Sequence, residues 1–153
     1  NFRDQDRLQR IREQAVLRSA ERRGLDVVTF GADDPTRERG AAALPRVLSS
    51  GVTAVMTYND LMAIGLLGAA AEAHHRVPGD LSVIGFDDIF GADFTSPTLT
   101  TIRTPLAQMG ELAVRRILHR LDRIDSRTEP GRFEQERLDT ELIIRRSTAR
   151  VGA

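Results

Sequence analysis

The sequence contains 153 residues, 41% of them apolar, which is enough for one folded domain or two subdomains and too much for a disordered chain. Its 22 basic residues are matched by 22 acidic ones, so it lacks the basic excess typical of surfaces that bind DNA phosphates. The absence of cysteine excludes a disulfide framework and a thiolate metal site. All basic residues are arginines, which excludes chemistry that depends on a lysine amine.

The amino-terminal residues do not have the layout of a signal peptide. No apolar run approaches the length that spans a bilayer. Together with the absent cysteines, these features predict a cytoplasmic protein without a membrane partner.

Helical and extended patterns alternate along the first third of the chain. Apolar residues recur at helical spacing over residues 4–23, and Gly24 is placed to end that helix. Residues 25–30 form a short apolar run that predicts a strand. Thr36 is a suitable N-cap for a second helix, which Pro45 should kink or shorten because proline lacks a backbone donor.

Three buried strands are predicted in the middle of the chain, over residues 52–57, 81–86 and 99–103. Between the first two, Asn59 is a suitable N-cap for a helix over residues 61–71. This helix is apolar on almost every side. We therefore expect it to bury one face on the sheet and another against a further surface, such as a second subunit.

Pro105 suits the first turn of a helix that runs to about residue 124. A polar loop over 126–136, a last strand over 138–145 and a frayed tail beyond Ser147 complete the prediction. Short apolar strands that alternate with helices predict an α/β fold with a three-layer parallel sheet. Such folds normally begin with a strand, so the initial helix indicates that earlier strands precede this sequence.

Polar residues follow two of the predicted strands, at the edge where open α/β sheets bind ligands. Asn59 lies in the first cluster, and Asp87 and Asp88 lie in the second. Amide and carboxylate groups together suit a neutral, polyhydroxylated ligand. Asn59 is equally consistent with a simple helix cap. For Asp88 a cap or a solvated loop charge is the favoured interpretation. Asp87 is the first residue after its strand, which favours ligand contact.

The remaining titratable residues give little support for catalysis or metal binding. His74 and His75 lie at the far end of a helix, and His119 lies among charges in the middle of another. Paired carboxylates such as Asp87 and Asp88 can serve acid–base or metal chemistry. No histidine, serine or glutamate stands beside them in a recognisable order, so we predict no catalytic residue, no metal and no cofactor.

Four consecutive segments carry a family resemblance. They are residues 53–65 (TAVMTYNDLMAIG), 77–88 (VPGDLSVIGFDD), 96–102 (SPTLTTI) and 142–148 (LIIRRST). In these segments the chain resembles the effector-binding domain of the lactose-repressor/galactose-repressor (LacI/GalR) family of transcriptional regulators. The resemblance implies a periplasmic-binding-protein-like type I fold, in which two subdomains hold the effector between them.

The resemblance also implies ligand-binding residues. By position, Arg12 matches the family's effector-contacting arginine, Asn59 its ligand-binding asparagine and Asp87 its ligand-binding aspartate. A guanidinium fork and a carboxylate can together clamp adjacent hydroxyl groups. The alternative for Arg12 is an ordinary solvated charge on an arginine-rich helix.

Domain boundaries follow from the same resemblance. Residues 1–104 are expected to form the C-terminal effector-binding subdomain, and residues 105–133 a crossover helix and loop that belong to the N-terminal subdomain. Residues 134–149 form the return strand and the C-terminal tail. The implied dimer-interface candidates, for which burial in the core is the alternative, are Ile64, Leu67, Ala71 and Phe94.

The predicted function is the ligand-sensing part of a bacterial transcriptional regulator, a repressor that forms a homodimer and binds a small, sugar-like effector. Contact with DNA is expected only through an amino-terminal helix-turn-helix outside this sequence. A periplasmic-type sugar-binding transport protein is the first alternative, which residues 77–82 and 145–148 disfavour. An enzyme that uses Asp87 and Asp88 is the second.

Overall fold

The computed structural model of the chain describes residues 2–31, 34–125 and 136–150. The helices are α1 (Phe2–Glu21), α2 (Arg37–Ala42), α3 (Leu44–Ser49), α4 (Asp60–Glu72) and α5 (Leu106–Asp125). The strands are β1 (Ala54–Met56), β2 (Ser82–Ile84), β3 (Thr101–Arg103) and β4 (Glu141–Ile143). Most of the loop predicted over 126–136 lies outside the described residues.

The central strands run parallel. β1 pairs with β2, with Ala54 opposite Ser82. A parallel bridge between Ile84 and Thr100 brings β3 alongside β2, and β4 adds an antiparallel edge next to β3. The predicted α/β class with a parallel sheet is therefore confirmed, and the antiparallel last strand completes it.

α4 packs against both β2 and α2, so the prediction of two buried faces is confirmed with α2 as the second surface. Glycines allow this close approach: a Cβ atom on Gly65 would collide with the carbonyl oxygen of Arg37, and one on Gly40 with the backbone of Met62. The buried apolar core consists of Leu44, Val47, Ala63, Leu66, Leu67, Ala70, Leu81, Val83, Ala92 and Leu99.

Several helix ends lie where the sequence signals predict them. Gly24 has a φ of +64° just beyond α1, a conformation that glycine adopts without strain. The side chain of Thr36 accepts a hydrogen bond from the backbone N–H of Arg39 at 3.3 Å and caps α2. Pro45 does more than kink the second helix, because α2 ends before it and α3 starts with Pro45 in its first turn.

Two predictions are wrong. Residues 25–30 form no strand, because no described strand lies beside them to complete a ladder. The chain beyond Ser147 does not fray at once, because Thr148 still contacts Thr100, with 3.0 Å between their hydroxyl oxygens. The fully buried Ser147 explains this order: its hydroxyl donates to the carbonyl of Val83 at 2.6 Å and accepts from the N–H of Thr100 at 2.8 Å.

α5 stands outside the core. β3 leads into it, and β4 follows it, so these two adjacent strands connect it to the remaining elements. No helix in the described part of the chain is long and apolar enough to cross a membrane. An exposed apolar stripe at helical spacing runs along α5 and consists of Leu106, Met109, Val114, Ile117, Leu118 and Leu121.

Candidate ligand site

The loops after β1 and β2 meet α1 at one edge of the sheet. Because β1 and β2 are parallel and in register, their carboxyl ends lie side by side. The backbone N–H of Asp60 donates to the carbonyl of Phe86 at 2.9 Å, which ties the two loops together. The structure thereby gathers Arg12, Asn59 and Asp87 at this edge.

Arg12 is oriented by aromatic rings. Its guanidinium carbon lies 3.8 Å from the ring centroid of Phe86 and 5.3 Å from that of Tyr58. Its Nη1 donates to the carbonyl of Tyr58 over a long 3.4 Å. Since Arg12 makes no other hydrogen bond to the described residues, most of its N–H donors are open to a ligand. Arg12 is half-buried and makes cation–π contacts, so it is not a fully solvated charge, and its ligand-binding role stays a prediction.

Asn59 is the N-cap of α4. Its Oδ1 accepts from the backbone N–H of Met62 at 3.0 Å, and its Nδ2 donates to the carbonyl of Pro35 at 3.0 Å. The predicted helix cap is therefore confirmed. One amide N–H and one oxygen lone pair remain for a ligand, and the ligand-binding role of Asn59 stays a prediction.

Asp87 is the least satisfied charged group of the site. Its backbone N–H donates to the carbonyl of Ile102 at 2.8 Å, but its half-buried carboxylate accepts no hydrogen bond from the described residues. Burial raises the pKa of this carboxyl, Arg12 partly opposes that rise, and the charge of Asp60 adds to it. The backbone at Asp87 has a φ of 106°, which is strained for a residue other than glycine.

Asp60 belongs to the first polar cluster of the sequence, but the sequence patterns assign it no role of its own. It is fully buried, and its carboxylate accepts from Thr101 Oγ1 at 2.6 Å and from the N–H of Ile89 at 2.9 Å. Gly85 leaves room for it, because a Cβ atom there would collide with the carboxylate. Asp60 thereby holds the loop just beyond Asp87. The available signal was its place in the first turn of α4, where the helix dipole favours a carboxylate.

Asp88 is ion-paired, so its interpretation as a cap or solvated charge is wrong. Its Oδ1 accepts from Arg145 Nη2 at 2.7 Å and its Oδ2 from Arg103 Nε at 2.7 Å. Only 9% of its side chain is exposed. Burial alone raises the pKa of the Asp88 carboxyl, but the hydrogen bonds from Arg145 and Arg103 outweigh burial and the pKa is lowered. Both oxygens of Asp88 are used within the chain, and ligand contact by Asp87 stays a prediction.

The histidines do not form a second site. His74 is exposed in the turn after α4, and His119 is exposed on α5. His75 lies beside a surface cavity at the opposite end of α4 from Asn59. Within the described ranges, no group of three or more His, Asp or Glu residues could hold a metal ion.

The dimer-interface candidates differ in exposure. Phe94 is 69% exposed and stacks edge-on against Phe90, with ring centroids 5.0 Å apart. Ile64 is half-buried and Ala71 exposed, whereas Leu67 belongs to the core and is 5% exposed. An open cavity of about 390 Å³ is lined by Leu67, Ala71, His75, Val77, Ser96, Pro97 and Arg146.

Comparisons with known proteins agree with this geometry. Residues 1–148 match the family of the periplasmic binding protein-like domain. The ribose operon repressor of Escherichia coli K12 is 42% identical over 97 residues, which cover 63% of this chain and 27% of the repressor.

Two solved structures are similar as well. A LacI family transcriptional regulator from Enterococcus faecalis V583 with bound ribose is 33% identical, has a TM-score of 0.69, and is matched over 76% of this chain and 42% of its own. A LacI family transcriptional regulator from Lactobacillus casei with bound sucrose is 30% identical, has a TM-score of 0.73, and is matched over 88% of this chain and 50% of its own. All three relatives are transcriptional regulators.

Fold, site and matches together define a periplasmic-binding-protein-like ligand-binding domain. The chain belongs to the LacI family of transcriptional regulators. It spans about a quarter to a half of the length of the relatives it matches.

Proposed function

We propose that the chain is the effector-binding part of a transcriptional repressor and that its ligand is a neutral sugar or a similar polyol. The observation that carries the proposal is the arrangement of Arg12 and Asp87. The two charges interact but form no ion pair, and each keeps hydrogen-bonding capacity that no described residue uses. Neighbouring hydroxyl groups both donate and accept, so a sugar can satisfy the guanidinium and the carboxylate at once.

The ligands of related regulators support this chemistry. The Enterococcus faecalis regulator holds ribose and the Lactobacillus casei regulator holds sucrose. Both sugars are neutral and polyhydroxylated. In the proposal, Asn59 supplies its remaining amide N–H and lone pair to the same ligand.

Control of transcription is proposed for the complete protein in the cytoplasm. The balanced charge of this chain offers no basic surface excess for phosphates, so DNA contact is assigned to a helix-turn-helix outside it. The effector changes operator affinity only if it binds two conformations of the protein unequally. In the proposal Asp87 contacts the ligand, Asp88 is held by Arg103 and Arg145, and no reaction is catalysed.

The exposed stripe on α5 supports a two-lobed arrangement. Residues 1–104 are proposed to form the lobe described here, residues 105–133 to pack on a second lobe, and residues 134–149 to return to the first. A helix with an apolar face requires a surface that covers it, and the core of the described part does not do so.

A homodimer is proposed on the outer surface of α4. Ile64 on α4 is half-buried, and Phe94 is an exposed apolar residue of the loop after β2. Ala71 and Leu67 line a surface cavity. An exposed aromatic pair such as Phe90 and Phe94 is typical of a surface that another protein covers.

The test uses the complete protein and a thermal-shift screen of sugars and polyols, beginning with ribose and sucrose. A sugar that binds the folded state raises the midpoint of unfolding. Calorimetry on that sugar then compares variants. Asp87→Ala and Arg12→Ala should each weaken binding by about 10-fold to 150-fold, because a hydrogen bond to a charged group contributes about 1.5–3 kcal/mol.

Arg76→Ala provides the matched control. Arg76 forms an exposed ion pair with Asp80 at 2.6 Å, near the amino end of β2 and away from the site. This variant should bind like the unmodified protein. Unchanged affinity in Asp87→Ala, with the fold retained, would reject the proposed site.

A further inference from the structure

The paired residue Asp88 connects the site loop to two strands at once. Arg103 is the last residue of β3, and Arg145 lies two residues beyond β4. Arg103 also donates from Nη1 to Glu141 Oε2 at 3.1 Å, and Glu141 is the first residue of β4. Asp88, Arg103, Glu141 and Arg145 thus form one continuous group, the charged cluster.

The charged cluster begins directly beside the ligand-facing carboxylate. Asp87 and Asp88 have φ angles of 106° and 54°. Two consecutive residues thus adopt a positive φ angle, which costs free energy for any residue other than glycine. Such a conformation persists only where surrounding contacts hold it. The two short, charge-assisted bonds of Asp88 are such contacts, and they lie directly beside Asp87 in the chain.

The two ends of the cluster differ in how firmly they are held. Arg145 is 18% exposed and also donates from Nη1 to the carbonyl of the fully buried Leu99 at 2.8 Å, which anchors it to the core. Arg103 is 49% exposed and bridges the two strands that connect α5 to the rest. A displacement of α5 relative to the core must bend these strands, and Arg103 lies at the point where they would bend.

We propose that Asp88 is a positioning residue that couples ligand contact at Asp87 to the strands β3 and β4, and through them to the position of α5. The inference rests on the proposed ligand site. Ligand contact at Asp87 shifts the strained backbone of the loop, and Asp88 transmits the shift to Arg103 because its carboxylate is held on both sides.

The test measures ligand affinity and conformational response separately, in the complete protein. This chain has no cysteine, so Glu72→Cys on α4 and Arg115→Cys on α5, both exposed, place two labels in it at known positions. Energy transfer between the labels reports the distance from the core to α5. Ribose and sucrose at saturating concentration are the probes, and calorimetry gives their affinity.

In the otherwise unmodified protein, the sugar should change the distance between the labels. Asp88→Asn and Arg103→Gln should still bind it within about tenfold of the original affinity, yet show no distance change. Arg103 is half-exposed, so Arg103→Gln retains the fold even if Asp88→Asn does not. Arg103→Lys should restore the response, since an ammonium group can still donate to Asp88. Arg76→Gln, which breaks only the exposed pair with Asp80, should respond normally.

The outcomes separate the two proposals. If no sugar binds, or if Asp87→Ala binds as well as the original, the proposed function fails and the coupling with it. If Asp87→Ala loses binding but Arg103→Gln keeps the full distance change, only the coupling is overturned. A sugar that binds the unmodified protein without any distance change also overturns the coupling. So does a loss of the distance change in Arg76→Gln equal to the loss in Arg103→Gln.

Discussion

At the scale of single residues, Asp87 combines three properties that burden folding. Its carboxylate is half-buried and accepts no hydrogen bond from the described residues, and its own backbone φ angle is positive. Residues that break local rules in this way are expected at functional sites, where a ligand supplies the missing partner.

The raised pKa of Asp87 predicts a stability trade-off. Burial is the main cause of the rise, so folding favours the neutral carboxyl. The stability that the neutral Asp87 carboxyl contributes is fully present below its pKa in the unfolded chain, about 3.9. It is lost as the pH rises through the higher pKa of the folded protein. At pH 7 the ionised group therefore destabilises the fold. Asp87→Asn should unfold at a higher temperature than the unmodified protein at pH 7, and the difference should shrink towards about pH 4.

Asp80 provides a control of opposite sign. Hydrogen bonds from Arg76 lower the pKa of its carboxyl to about 2, so its contribution is present at neutral pH and disappears as the pH falls through that value. Asp80→Asn should lower the midpoint of unfolding slightly at pH 7. If Asp87→Asn also lowers the midpoint of unfolding at pH 7, the description of Asp87 as a buried, unpaired carboxylate is wrong.

Sequence patterns predicted the candidate ligand-binding residues but not the contacts that hold their loops. Asn59 and Asp87 follow strand ends, and a strand end can be read from local apolar runs. The partners of Asp88 lie 15 and 57 residues away in Arg103 and Arg145, and no local pattern predicts pairs at such distances. The contacts of Ser147 could not be predicted for the same reason, because its hydroxyl donates to the carbonyl of Val83, 64 residues away.

At the scale of elements, helices were easier to predict than strands. Caps and breaks are local, so Gly24, Thr36 and Pro45 marked helix ends correctly. A strand depends on a neighbour that can be far away in sequence, which is why residues 25–30 have the composition of a strand without forming one here. Helix contact is also non-local: the glycines of α4 look alike in sequence but have different surroundings.

Two glycines of α4 give a matched prediction. Gly65 touches the backbone of α2, whereas a Cβ atom on Gly68 meets nothing within 4 Å. Gly65→Ala should therefore destabilise the fold by about 1–3 kcal/mol through overpacking. Gly68→Ala should stabilise it by about 0.5–1 kcal/mol, because alanine loses less backbone entropy in a helix.

Equilibrium unfolding in urea measures both changes, and a constant slope confirms that the midpoint reports stability. Equal effects of the two substitutions would contradict the close packing of α2 on α4.

At the scale of the whole molecule, the site and the exposed surfaces point to a larger assembly. The described residues place Arg12 and Asp87 at one edge of the sheet, and in our proposal a second lobe closes over them. The uncovered stripe of α5 and the exposed Phe94 are the surfaces on which that lobe and a second subunit are proposed to pack. Family resemblance supplied these expectations, because a single chain does not show what covers its surface.

The central claim is that ligand binding at this site controls DNA binding by the complete protein. Fluorescence anisotropy on an operator selected in vitro tests it most directly, with and without the sugar that binds in calorimetry. We predict a change in operator affinity of about 5–150-fold, the usual range of allosteric coupling. Asp87→Ala should bind the operator normally and lose the response. A sugar that binds without changing operator affinity, or an Asp87→Ala variant that responds fully, would contradict the claim.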